Sequence, residues 1–234
     1  MSRCVNLSPA LRGLRLVLLG CLLACAVPLA RAADDDISAS ARLLMAARAA
    51  DAPAMERALA GGAAINARNR LGESALMVVL KNNHPELAPA LMAAGADVNL
   101  AAINGLTPLM AAAYIGATDV VRALLRGGAD VNAVDRLRKN AMTYAAGEGH
   151  VAVVRLLLEA GVSADAVYQN DLTALMWAAG YGRTEVVRVL LDAGARVDRR
   201  DDRGKTALDI AREQRQDATV ALLEAAAARA AAAR

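Results

Sequence analysis

The sequence contains very few aromatic residues. Among its 234 residues there is no Phe and only 2% are aromatic, although 56% are hydrophobic. Ala, Leu and Val therefore carry the apolar character of the chain. These side chains allow helices to pack closely but fill a deep globular core poorly. The composition favours a stack of short helices over a fold built around a central sheet.

Cysteine and histidine are also scarce. The cysteines are Cys4, Cys21 and Cys25, all close to the N-terminus, and the only histidines are His84 and His150. We interpret both histidines as hydrogen-bonding groups of a loop at a helix start, too far apart in the sequence for a shared metal or catalytic site. We find no Ser–His–Asp order, metal-ligand spacing or phosphate-binding glycine loop. We therefore expect no cofactor, no metal and no enzymatic activity.

The N-terminal segment has the features of a signal peptide. Three arginines precede an uncharged run over residues 16–30, and Ala30 and Ala32 supply small residues at a cleavage site. A run of this length fits the about 7–15 apolar residues of a signal peptide and falls short of the ~20 needed to span a bilayer. The sequence predicts a signal peptide over residues 1–32, cleavage after Ala32, and Sec export to the periplasm or beyond. An uncleaved N-terminal anchor helix is the alternative.

Removal of this segment would change the charge and the thiol content of the chain. Four of the 27 basic residues and no acidic residue lie in it, so 23 basic and 24 acidic residues would remain. The net charge of +3 therefore belongs to the export signal and gives no support to nucleic-acid binding. All cysteines would leave with it, which suits an oxidising compartment. Alternatively, Cys21 or Cys25 carries a lipid anchor, because the residues before each loosely resemble a lipobox.

A fixed period of about 33 residues runs through the rest of the chain, and such a period is the sequence signature of a repeat architecture. Several series of residues keep this spacing. One series is Gly62, Gly95, Gly128, Gly161 and Gly194. A second series is Gly72, Gly105 and Gly204, with Arg138 and Asp171 at the intervening positions.

Residues 102–134 show how one period predicts two helices. Thr107 is suited to cap a helix N-terminus, and Pro108 follows at the first helical position, where no N–H is missed. Gly116 ends this first helix. Apolar residues at 120, 121, 124 and 125 then form the buried stripe of a second helix, and Gly128 caps its C-terminus.

These segments resemble the ankyrin repeat. The stretches LTPLMAAA at residues 106–113 and VVRALLRGGADVN at residues 120–132 match the family pattern nearly throughout, and the resemblance covers about residues 37–224. It implies an all-α solenoid of about six helix–turn–helix units with β-hairpin-like connecting turns. The family usually has His after Thr-Pro-Leu, and this chain departs from it with Met77, Met110, Thr143, Met176 and Asp209.

The resemblance also predicts the domain organisation. A short acidic linker at 33–36 leads to a repeat domain over 37–224, and an Ala-rich tail follows at 225–234. Within the domain we expect a degenerate first repeat, four full repeats and a charged last repeat from Asp201, because polar terminal units shield the ends of a solenoid. The four full repeats are placed near 69–101, 102–134, 135–167 and 168–200.

Hairpin tips and first helices line the concave face of ankyrin-like stacks, and this face commonly binds proteins. Carried over by register, the candidate partner-binding residues at the tips are Leu71, Ile103, Leu106, Arg136, Leu137, Lys139, Gln169 and Leu172. The candidates in the first helices are Tyr114, Ile115 and Tyr181. Apolar tip residues suggest contact because a turn needs no Leu, although packing between neighbouring tips would also explain them.

The aromatic residues of the repeats divide into two groups. We expect Tyr114 and Tyr181 to occupy equivalent positions two repeats apart and to contact a partner, because Tyr is a frequent interface anchor. Tyr144 and Trp177 lie one turn earlier in their helices, and we interpret them as packing between repeats.

The sequence therefore predicts a protein-binding module without nucleic-acid or membrane-spanning function, monomeric when alone. Its expected role is that of an exported adaptor, inhibitor or stabilising partner of another protein. The alternatives are an immunity-type inhibitor of a toxic enzyme, an envelope scaffold and a small hydrolase.

Overall fold

The computed structural model describes residues 37–232, so the predicted signal peptide, the acidic linker and the candidate lipobox cysteines lie outside the described residues. Twelve α-helices in this range form six pairs, which we number as repeats 1–6. Their bounds are α1 (Ala39–Arg48), α2 (Ala52–Ala60), α3 (Ala75–Lys81), α4 (Ala88–Ala93), α5 (Pro108–Tyr114), α6 (Thr118–Arg126), α7 (Ala141–Glu148), α8 (Val151–Glu159), α9 (Ala174–Gly180), α10 (Thr184–Asp192), α11 (Ala207–Glu213) and α12 (Asp217–Ala232).

The connections contain little regular structure. Short 3₁₀ turns occur at Pro85–Leu87 and Gln169–Asp171, and one isolated β-bridge joins Val167 to Thr173. No strand is present over residues 37–232, and no helix in that range is long and apolar enough to cross a membrane. The all-α repeat solenoid predicted from the sequence is confirmed.

The first helix of every repeat from 2 to 6 begins at a polar cap. The cap side chain accepts a hydrogen bond from the backbone N–H three residues later, at 3.0–3.4 Å. This contact satisfies one of the N–H groups that a helix start leaves unpaired. The five caps, each one period after the last, are Ser74, Thr107, Asn140, Thr173 and Thr206.

The helices stack in two rows, one of first helices and one of second helices. Pairs of alanines in the first helices of repeats 3–5 are fully buried, and such small side chains let the helix backbones approach closely. These alanines are Ala112, Ala113, Ala145, Ala146, Ala178 and Ala179. The core is thus one continuous layer shared between neighbouring repeats rather than a separate core for each repeat.

Left-handed backbone conformations recur with the same period. The glycines of the series that begins at Gly62 have φ between 82° and 90°. At the hairpin tips, Gly72, Gly105 and Gly204 have φ of 74°, 82° and 75°. Arg138 has φ of 55° at the equivalent tip position of repeat 4. A side chain with a Cβ atom in this conformation costs about 1 kcal/mol or more relative to Gly.

Side-chain hydrogen bonds tie the loops of repeats 4 and 5 to the preceding repeat. His150 Nε2 lies 2.9 Å from the carbonyl oxygen of Tyr114, and Arg183 Nε donates to the equivalent carbonyl, that of Gly147, at 2.9 Å. Both histidines occupy the N-cap position of their helix and form hydrogen bonds through the ring, as expected, although neither ring caps its own helix. His84 Nδ1 instead lies 3.0 Å from Glu86 Oε1.

Backbone hydrogen bonds also join successive hairpin tips. Ile103 N donates to Leu71 O at 2.9 Å, Arg136 N to Asn104 O at 2.9 Å, and Asp202 N to Asn170 O at 3.1 Å. By register, the fourth bond of this ladder would run from Gln169 N to Leu137 O. It is missing from the described part of the chain. The tip of repeat 5, a 3₁₀ turn in which Asn170 has φ of 58°, differs in shape from its neighbours.

Substitution of two glycines that have the same φ distinguishes the cost of backbone strain from the cost of lost packing between tips. Gly105 and Gly128 both have φ of 82°. A Cβ on Gly105 would lie 3.0 Å from Asp135 Cα in the next tip, whereas a Cβ on Gly128 would meet nothing within 4 Å. We expect Gly128→Ala to lower the free energy of unfolding by about 1 kcal/mol and Gly105→Ala by about 2 kcal/mol or more. Urea denaturation measures both, and equal losses would show that close tip packing contributes nothing.

Candidate partner-binding face

The hairpin tips and first helices of repeats 2–6 form what we call the inner face. Four aromatic rings and one ammonium group form a continuous row across repeats 3, 4 and 5 of this face. We call Tyr114, Tyr144, Lys139, Trp177 and Tyr181 the aromatic row.

The contacts within the aromatic row run from repeat 3 through repeat 4 to repeat 5. The rings of Tyr114 and Tyr144 meet edge to face, with centroids 6.0 Å apart at 88°. Lys139 Nζ lies 5.7 Å from the Tyr144 centroid and 4.3 Å from the Trp177 centroid. The Trp177 and Tyr181 rings stack with centroids 6.1 Å apart at 11°. Edge-to-face, stacked and cation–π arrangements are all favourable for rings with a negative face.

Asp135 holds the middle of the aromatic row in place. Its Oδ1 accepts hydrogen bonds from Leu137 N at 2.8 Å and from Lys139 N at 2.9 Å. Its Oδ2 accepts from the Tyr144 hydroxyl at 2.6 Å. One buried carboxylate therefore shapes the tip of repeat 4 and links it to α7.

The same polar turn occurs at other tips, and the sequence reasoning missed it. Asn69 Oδ1 accepts from Leu71 N and Glu73 N, and Asp201 Oδ1 accepts from Arg203 N and Lys205 N. Successive members of the set Asn69, Asp135 and Asp201 are two repeat periods apart in the sequence. That spacing, three residues before the left-handed tip position, was the available signal.

The hydroxyl of Tyr144 is held in its neutral form. Burial, the hydrogen bond to Asp135 and the negative charge of that carboxylate together raise the pKa of Tyr144 far above its ordinary value. Tyr144 therefore acts as a hydrogen-bond donor to Asp135 and not as a base. The exposed ends of the aromatic row are Tyr114 and Tyr181, whose side chains are 51% and 57% exposed.

The predicted site residues differ in how far they reach solvent. Leu71, Ile103 and Leu137 are exposed by 61%, 53% and 55%, and Arg136 is also exposed. Lys139 and Gln169 are half-buried. The half-buried residues that pack against the core, and so have a structural role without any partner, are Leu106, Ile115 and Leu172. The assignment of these residues to partner binding stays a prediction.

Of the two expectations about the aromatic residues, one was wrong. The spacing of Tyr114 and Tyr181 exceeds two periods by a single position, so they are not equivalent: Tyr114 ends α5, whereas Tyr181 follows α9 as its C-cap. The packing between repeats expected of Tyr144 and Trp177 is confirmed. Tyr144 contacts the preceding repeat through the Tyr114 ring, and Trp177 contacts it through Lys139 Nζ. Trp177 Nε1 is buried without a hydrogen-bond partner.

The described residues contain no group of three or more His, Cys, Asp or Glu side chains that could hold a metal ion.

Comparison with known families agrees with the repeat geometry. Three overlapping segments match a family model described as "Ankyrin repeats (3 copies)", at residues 43–135, 76–168 and 142–230. The chain belongs to the ankyrin-repeat family. Ankyrin repeats are general protein–protein interaction modules and are typically not enzymes. A search of curated proteins finds no match to this chain.

Removal of the Asp135 carboxylate tests how the aromatic row of this ankyrin-repeat protein is held. Asp135→Ala leaves two tip N–H groups and the Tyr144 hydroxyl without their acceptor, so we expect a loss of about 2 kcal/mol in the free energy of unfolding. Urea denaturation measures this loss. Trp177 is the only Trp in the chain, so its fluorescence reports the change in the row. Asp202→Ala, at an exposed tip position, is the control and should change stability by less than about 0.5 kcal/mol. Equal losses for the two variants would contradict the role of Asp135.

Proposed function

We propose that this ankyrin-repeat protein is an exported binding module that holds another protein against the aromatic row. In this role it acts as an adaptor, inhibitor or stabilising partner in the periplasm or outside the cell. The observation that carries the proposal is the unbroken sequence of ring contacts from Tyr114 to Tyr181, with both ends exposed to solvent.

The distribution of exposed apolar side chains supports this face. Nine large hydrophobic side chains are exposed within the described residues, and five of them lie at the tips or first-helix ends of repeats 2–5. These five are Leu71, Ile103, Tyr114, Leu137 and Tyr181. Soluble monomers rarely gather exposed apolar groups in this way unless the surface binds something.

The composition of the aromatic row also fits a binding surface. Tyr, Trp and Arg are the residues most enriched among those that dominate interface energies. A Tyr or Trp ring supplies a large contact area with few rotatable bonds, so little conformational entropy is lost on binding. In this chain, four of the five aromatic residues occupy the row, and Tyr168 is the other.

Export is proposed from the N-terminal sequence. The basic residues, apolar run and small residues of 1–32 are those of a cleavable signal peptide, and no cysteine follows that segment.

Loss of the two exposed tyrosines tests the binding face. Capture of proteins from a periplasmic extract of the producing cell, followed by mass spectrometry, identifies the partner. We expect Tyr114→Ala/Tyr181→Ala to weaken binding of that partner by about tenfold or more, because interface Tyr residues often contribute more than about 1 kcal/mol each. The melting temperature should fall by only a few degrees, because both side chains are more than half exposed and each loses a single ring contact.

The matched control for this variant is Val134→Ala/Val167→Ala. Both valines are exposed, by 50% and 44%, and both lie outside the aromatic row. Full binding by the control and weak binding by the tyrosine variant supports the proposal. Unchanged binding by the tyrosine variant, or a loss that only follows unfolding, contradicts it.

N-terminal sequencing of the protein from fractionated cells tests export. We expect the periplasmic or secreted form to begin at Ala33, and Ala32→Asp to block processing because the cleavage site needs a small uncharged residue. A lipid-modified N-terminus at Cys21 or Cys25 would favour the anchored alternative. Unprocessed protein confined to the cytoplasm would contradict export.

A further inference from the structure

The basic side chains of the inner face form ion pairs in some repeats and not in others. In repeat 2, Lys81 forms an ion pair with Glu73. In repeat 6, Arg203 pairs with Asp201 at 2.6 Å and Lys205 pairs with Glu213. The tip of repeat 4 carries three cations in four residues, and the structure places none of these three in an ion pair with another described residue. They are Arg136, Arg138 and Lys139.

The nearest carboxylate in sequence does not neutralise these cations. Asp135 is buried, and its two oxygens already accept three hydrogen bonds from backbone N–H groups and from Tyr144. Arg136 and Arg138 are exposed, and Lys139 lies over the Trp177 ring. The tip of repeat 4 therefore presents unbalanced positive charge next to the aromatic row.

Arg138 is not required by the turn in which it lies. The equivalent tip position holds glycine in repeats 2, 3 and 6, and Arg138 adopts the same left-handed conformation with φ of 55°. Glycine would satisfy this backbone with less strain. No hydrogen bond from the Arg138 guanidinium to another described residue accounts for the choice of arginine.

Apolar surface and unpaired backbone groups adjoin these cations. Leu137, between Arg136 and Arg138, is 55% exposed. The tip ladder is also interrupted here, since no hydrogen bond joins Gln169 N to Leu137 O within the described residues. A segment of another chain that crosses this tip meets guanidinium groups, an apolar side chain and main-chain groups together.

We propose that the tip of repeat 4 binds an acidic segment of the partner protein. Its carboxylates pair with Arg136 and Arg138, and an apolar side chain beside them packs on Leu137 and the aromatic row. Guanidinium groups suit this task because their planar forks match carboxylates. The inference rests on the proposed function and adds the chemistry of the partner.

Acidic side chains of repeats 4 and 5 limit the length of the acidic stretch that the partner can carry. Glu148 at the end of α7 and Asp171 at the tip of repeat 5 are both exposed. They would repel a long acidic run, because like charges at an interface are unfavourable. We therefore expect a short acidic stretch next to an apolar or aromatic residue, rather than a uniformly acidic partner.

Selection from a library of short random peptides displayed on phage, with the purified protein as target, tests this chemistry without knowledge of the partner. We expect enriched peptides to carry two or three Asp or Glu residues beside Leu, Phe or Trp. Their affinity should fall steeply as NaCl is raised from about 50 to about 300 mM, because salt screens exposed ion pairs.

A pair of charge-reversal variants locates the binding. Arg136→Glu/Arg138→Glu should weaken binding of an enriched peptide by about tenfold or more, whereas Arg122→Glu/Arg155→Glu should leave its affinity within about twofold. The control makes the same change in net charge on the exposed surfaces of α6 and α8.

Arg138→Gly distinguishes a role of Arg138 in binding from a role in the stability of the fold. The substitution should raise the melting temperature by about 2 °C, because it relieves left-handed strain, and yet weaken peptide binding by about fivefold. Arg215→Gly is the matched control, since Arg215 has φ of 56° and lies in repeat 6. It should raise the melting temperature similarly and leave binding unchanged.

The outcomes separate this inference from the proposed function. Peptides that are neutral or basic, but lose affinity with Tyr114→Ala/Tyr181→Ala, would overturn the acidic partner and leave the binding face intact. Peptides that are indifferent to both the tyrosine variant and the arginine variants, or the absence of any enriched peptide, would contradict both.

Discussion

Packing between neighbouring repeats is the interaction on which the rest of this structure depends. The first helix of repeat 3 has only seven residues, and isolated helices shorter than about 12–15 residues are marginal in water. Each helix pair therefore gains its stability from the pair before it and the pair after it. The polar helix caps and the left-handed glycines recur at the repeat period, and the paired alanines of repeats 3–5 are fully buried, because each serves this one arrangement.

The same arrangement explains how a binding surface forms from separate repeats. Stacking in register brings residues one period apart into rows, as with Tyr144 and Trp177. Side chains at the tips contribute little to the buried core, so one tip can change without loss of the fold. Repeat 4 illustrates this freedom, because it keeps the polar turn of Asp135 but has Arg138 where three other tips have glycine.

Features with local causes could be predicted from the sequence. Local signals include the cap at Thr107, the proline that follows it and the repeated glycines, each of which acts within a few residues. Their common period indicates a solenoid. The candidate face was more difficult. Their positions in the repeat predicted that Leu106, Ile115 and Leu172 contact a partner, but in the structure they pack against the core.

Contacts between repeats could not be derived from the period alone. The cation–π contacts of Lys139 depend on the direction of a long side chain, and the missing bond between Leu137 and Gln169 depends on the unusual turn of repeat 5. The shift of a single position between Tyr114 and Tyr181 moves one ring to a helix end and the other to a cap. Position within the period therefore predicts which face a residue occupies, but not which residues touch.

Amide hydrogen exchange with and without the bound partner tests the central claim most directly. Binding to the aromatic row predicts new protection at residues 102–116, 135–149 and 168–182, with α6, α8 and α10 unchanged. Protection confined to the second helices, or to the two ends of the stack, would contradict the account.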